Sequence, residues 1–188
     1  MKKHIKIISL FILIISAVFL IKNLKAHSIP EFAISEREII ANKITLQTAK
    51  ELEKKYNLVP VGTGGSMMDN IKMMAISFRY FGEIDIDTSR ELIVKAIEHY
   101  LKNINTNAEV KPYLNNYPFT PGNIEIMLFL TRPNYKDFPP GQLESITAWE
   151  GKIKYKANDS TNKKFISLHK ETYEEAVAIL KKQGKLYL

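Results

Sequence analysis

The chain contains no cysteine. That absence excludes disulfide scaffolds, iron–sulfur clusters, thiolate zinc sites, cysteine nucleophiles and thiol redox chemistry. Histidine is scarce, at four residues: His4, His27, His99 and His169. They form no HExxH motif and no pair at metal-ligand spacing. No GxSxG nucleophile elbow occurs, and no glycine-rich loop ends in lysine followed by serine or threonine. The expectation is a protein without a bound metal or cofactor. Tryptophan occurs once, at Trp149. What remains is 188 residues, 45% hydrophobic and 25% charged, the composition of one globular domain rather than of a disordered or fibrous chain.

A formal charge of +7 invites a nucleic-acid reading. Its distribution argues otherwise. Residues 1–26 hold Lys2, Lys3, Lys6, Lys22 and Lys25 and no acid, which leaves 22 basic residues against 20 acidic ones on the rest of the chain. Phosphate binding needs the excess on the folded part, so nucleic acid is not among the expected partners.

The basic start, MKKHIK, leads into an apolar run from Ile7 to Ile21 that Lys22 and Asn23 end. A basic flank before a short apolar core is the pattern of an export signal. Two readings stay open. Residues 1–26 are a signal peptide cleaved after Ala26, or they persist as an anchor with residues 5–21 in the membrane. Either places the protein in the cell envelope, periplasmic or membrane-anchored, or secretes it. Residues 27–34 read as a linker and 35–188 as one domain, large enough to hold together by its core alone.

Within that domain, Ser35/Glu38, Thr88/Glu91 and Thr172/Glu175 have the spacing of capping boxes and predict three helices. The expected buried stripes are Ile39, Leu46, Ala49, Leu52 and Tyr56 on the first, Leu92 to Ile104 on the second, and Tyr173, Ala176, Val177 and Leu180 on the third. Alternating patterns predict strands at 71–81, 123–131, 143–149 and 152–157, the last two joined by a Glu150-Gly151 turn. Leu58–Val61 is a candidate fifth strand, placed at an edge by Pro60. The fold class is α+β: an antiparallel or mixed four- to five-stranded sheet with about three helices.

The stretches GTGGSMMDNI, PYLNNYPFTPGNIEI and ETYEEAVAIL resemble those of a family of small exported proteins of intracellular bacteria. That resemblance implies no activity and assigns no functional residue.

Several groups could carry chemistry. Gly62-Thr63-Gly64-Gly65-Ser66 lacks a following helix, so it reads as a flexible connection between strands rather than a phosphate loop. Glu83, Asp85 and Asp87 could hold a divalent cation, but Asp87 and Thr88 lie where a helix start favours acids and caps. His99 and His169 would be the bases of a hydrolase. Met127, Phe129 and Trp149 fall on strand faces opposite the core, beside Lys152 and Lys154. With three helices on one sheet, a helix over that face is the expected arrangement; if it is open, these five residues form an interaction patch. The functional expectation is a non-catalytic secreted or envelope-anchored binding protein, with an unknown protein or small ligand outside the cytoplasm as partner. The alternative is a metal-independent exported hydrolase using scattered serine, histidine and carboxylate groups.

Overall fold

The computed structural model describes residues 34–159 and 164–186. The targeting segment 1–26, its membrane-anchor reading at 5–21, and the linker 27–34 up to its last residue lie outside them. Among the described residues no helix is long and apolar enough to cross a membrane. Ser35–Leu188 forms one compact unit.

Along the chain run α1 (Glu36–Tyr56), β1 (Val59–Ser66), β2 (Met73–Phe81), α2 (Ile86–Asn105), β3 (Ile124–Thr131), β4 (Leu143–Trp149), β5 (Lys152–Asp159), β6 (Lys164–Thr172) and α3 (Tyr173–Lys182). The fold is α+β, with a mixed six-stranded sheet in sequence order β1-β2-β3-β4-β5-β6. Neighbours are antiparallel except β2 and β3, which run parallel because α2 carries the chain back between them.

Two of the three capping boxes form as their spacing predicts. Ser35 accepts from Glu38 N–H while Glu38 accepts from Ser35 N–H, and Thr172 and Glu175 do the same. The second helix starts earlier than Thr88. Asp85 is its N-cap, accepting from Thr88 N–H at 2.7 Å, and Glu91 instead pairs with Lys95. A short carboxylate three residues upstream competes successfully for the same donor.

The sheet has one strand more than expected. In β6 the two-residue period breaks at Leu168, the extra residue of a bulge opposite Tyr155 and Lys156, so no alternation marks the strand. The glycine run is also no loose connection: Gly62 to Ser66 extend β1 and pair with Ser77 to Met73 of β2. Glycines leave no side-chain pattern to read, and Gly65 is required where it stands, because a Cβ there would come 2.8 Å from the Met73 carbonyl.

All three helices pack on one sheet face. Met74, Ile76 and Phe78 of β2, Ile124, Ile126 and Leu128 of β3, Ile146 and Ala148 of β4, and Ile153 and Tyr155 of β5 join Ile93, Ile97 and Tyr100 of α2 and Leu180 of α3 in a single core. The expected stripe of α1 is corrected. Ile39 and Leu46 are exposed, and the buried face runs through Ala41, Ile44, Thr45, Thr48, Ala49 and Leu52. Threonine is buried there because each hydroxyl donates to the carbonyl four residues back, Thr45 to Ala41 and Thr48 to Ile44, both at 2.8 Å.

The long connection after β3 is packed down. Phe138 joins the core, Tyr135 meets Phe81 edge-on at 5.8 Å, and Arg132 Nε lies 2.7 Å from Glu83. These contacts hold it at the end of the sheet away from Trp149.

Candidate functional site

The helices leave the second sheet face without a covering element among the described residues, so the expectation of a helix there is corrected. Strand register lays this face out as a grid. One row crosses all six strands: Gly62, Ser77, Met127, Thr147, Lys154 and Lys170. The next is Val59, Arg79, Phe129, Ser145, Lys156 and Ser167. At one sheet end, Trp149, Lys152 and Thr172 stand side by side. Across the face, Met127 and Phe129 on β3 and Trp149 on β4 lie between Ser77 and Arg79 on β2 and the lysines of β5 and β6.

Met127, Phe129, Trp149, Lys152 and Lys154 are therefore brought together. The turn sets this register. Glu150 at φ 50° and Gly151 at φ 70° both occupy the left-handed region, as a type I′ hairpin requires. Ala148 then pairs with Ile153 and Ile146 with Tyr155 on the core side, which turns Trp149 and Lys152 outward. Phe129 is 39% exposed and Trp149 45%. The Lys154 ammonium lies 6.0 Å from the Trp149 ring centroid, within reach of a cation–π contact. Lys170 joins them from the strand the sequence did not reveal. Lys152, Lys154, Lys170 and Thr172 line a hollow of about 250 Å³ together with Ile153, Glu171 and Glu175.

The histidines sit elsewhere and apart. His99 Nε2 lies 2.6 Å from Glu51 between α2 and α1. Glu51 also accepts from Gln47 and, at 2.8 Å, from Asn103. The hydrogen bonds from Gln47, His99 and Asn103 hold its carboxyl down at about 2. The neighbouring hydroxyl, Thr48, is bonded to the Ile44 carbonyl. This is a clamp between two helices. His169 Nε2 is 3.5 Å from Glu171, but that carboxylate accepts from Arg90 Nε at 2.8 and 3.0 Å and from the Tyr155 hydroxyl. Arg90, Glu171 and Tyr155 are all buried, and Arg90 also meets Asp87. Sequence spacing gave no sign of this network, whose members lie on α2, β5 and β6.

The carboxylates considered for a cation line a cleft of about 680 Å³ with Gln142, and each is engaged. Glu83 meets Arg132 and Gln142, Asp85 caps α2, and Asp87 meets Arg90. Among the described residues no group of three or more histidine, aspartate or glutamate side chains is placed to hold a metal ion. The chain matches no family model, no curated protein and no solved structure.

Proposed function

We propose that the chain is a non-catalytic binding protein, exported and held in the cell envelope or secreted, that engages its partner through the open sheet face. One observation carries this reading. Phe129 and Trp149 remain exposed among lysines on a face that no described helix covers, although three helices were available to cover it. Exposed aromatic surface is costly to keep in water unless something binds it. The basic and apolar start of the chain supports export. For the hydrolase alternative, His99 and His169 both meet carboxylates, but these hold helices and strands together, and Thr48 beside Glu51 gives its proton to the backbone.

The test is a photoreactive side chain placed at position 129 or 149 in living cells, with position 46 on the exposed side of α1 as control. Cross-links from the sheet positions and none from position 46 are expected. Sheet positions that capture nothing would remove the reading.

A further inference from the structure

One end of the sheet differs from the rest. The chain enters the domain there: Arg37, at the start of α1, donates through Nε to the Met67 carbonyl at 2.7 Å and through Nη2 to the Met68 carbonyl. Met67 and Met68 follow β1 at the end where β2 and β3 begin and β4 finishes at Trp149. Met68 is 87% exposed. The incoming chain, an exposed methionine and the exposed tryptophan thus share one sheet end, and the lysine-lined hollow opens beside Trp149.

The chemistry of this end is specific. Lys152, Lys154 and Lys170 line a space of about 250 Å³ together with Ile153, Thr172, Glu171 and Glu175, and the Glu171 carboxylate is taken up by Arg90 and Tyr155. Lys154 and Lys170 are directly opposed across β5 and β6, an arrangement of like charges that costs stability unless an anion sits between them. Glu175 also lines the hollow, but its carboxylate is bonded to Thr172 N–H at 2.7 Å. Glu125 is the acid on the same face of β3. An indole with lysines around it is the combination that settles at a lipid–water interface, ring at headgroup depth and ammonium groups on phosphates.

We propose that this end of the sheet docks onto an anionic phospholipid bilayer, with lipid phosphates in the lysine hollow and Trp149 and Met68 entering the interface. The proposal rests on the reading that the open face is a binding surface, and it names the partner. The apolar side chains beside the lysines, Trp149 and the 87% exposed Met68, select a membrane over other anions. A second copy face to face would set lysines against lysines. A soluble polyanion, nucleic acid included, would gain nothing from the exposed methionine.

Trp149 is the only tryptophan, so its fluorescence reports this site alone. The full chain is reconstituted with vesicles of phosphatidylcholine, or of phosphatidylcholine mixed with phosphatidylglycerol, each with brominated acyl chains. Residues 1–26 carry five lysines of their own and also favour the anionic vesicles, so the sheet end is read from the difference between the native chain and the K152E/K154E chain, which share that segment. Expected are a blue shift and bromine quenching only with the anionic lipid, reversed by salt. The K152E/K154E chain should lose at least about tenfold in the anionic-lipid response. Trp149 equally open to iodide in both vesicle types overturns the proposal. So does protection by single-stranded DNA, polyglutamate or inorganic phosphate with none by vesicles; that outcome leaves the binding-face reading intact. A face open to every probe, together with no cross-link from positions 129 and 149 in cells, removes both.

Discussion

Lys154 of β5 and Lys170 of β6 stand directly opposite each other on the open sheet face. An acid at either position would have strengthened the pair, whereas two ammonium groups there weaken it by about 0.2–1 kcal/mol. In the proposed membrane docking, the stability lost to such a pair is exchanged for attraction to lipid phosphate. The K170E chain is therefore expected to be more stable by about 0.5 kcal/mol at low ionic strength, or roughly 1–2 °C in Tm. That gain should fade in high salt. An unchanged or lowered Tm at low salt would show that the two lysines do not repel.

The opposite bargain holds on the core side, where Arg90 and Glu171 are both buried and bonded to each other, with Tyr155 donating to the same carboxylate. Removing one charge strands the other. The E171A chain should lose about 3–5 kcal/mol, or about 10 °C in Tm. Replacing both charges by apolar groups, R90M with E171L, should recover most of that loss, because no ion is then left unpaired. Thermal unfolding of the three chains decides. A double variant no better than E171A would mean that the network holds the fold by geometry that apolar packing cannot replace.

The contrast between these two sites explains what the sequence disclosed. Trp149, Lys152 and Lys154 could be placed because a period of two and a Glu-Gly turn act within a few residues. Two of the helix starts were legible for the same reason: Ser35 and Glu38, or Thr172 and Glu175, lie within one turn of each other. Arg90 and Glu171 are 81 positions apart, and no local spacing encodes their meeting. β6 stayed hidden because Leu168 interrupts its alternation, and the glycines of β1 because they have no side chains to alternate. The buried face of α1 was misread because Thr45 and Thr48 look polar in sequence but hide their hydroxyls in the helix backbone. Which face the helices leave open is a property of tertiary packing, so the exposure of Phe129 and Trp149 emerged only from the fold.

Glu51 should impose an acid limit on the α1–α2 contact. Hydrogen bonds from Gln47, His99 and Asn103 hold its pKa at about 2, against an ordinary value of 4.5. A lowered carboxyl pKa means that the unfolded chain binds the proton more readily. The stabilisation is then fully present above about pH 4.5 and is lost as pH falls towards 2. Because the Glu51 side chain is 37% exposed, solvent screens the effect, and we expect the E51Q chain to melt only about 1–3 °C lower at neutral pH. The difference should close on acidification through that window. A gap that persists undiminished at pH 2 would show that the charge of Glu51 is not what joins the helices.

Glu144 predicts the reverse. It is the extra residue where the β4–β5 register shifts between Leu143 and Ser145, and its Oε2 is buried without a hydrogen-bond partner. Burial, aided by the charge of Asp137, raises its pKa above the ordinary 4.5. A raised carboxyl pKa means that the folded protein binds the proton more readily. The ionised group therefore costs stability at neutral pH, and this cost disappears as pH falls below 4.5. The E144Q chain, neutral at every pH and of the same size, should melt higher than the native protein at pH 7, by about 1–2 °C. The two melting temperatures should converge near pH 4. A lower melting temperature for E144Q at pH 7 would mean that the carboxylate has a favourable partner, with Lys156 across the strand pair the first to test by substitution to glutamine.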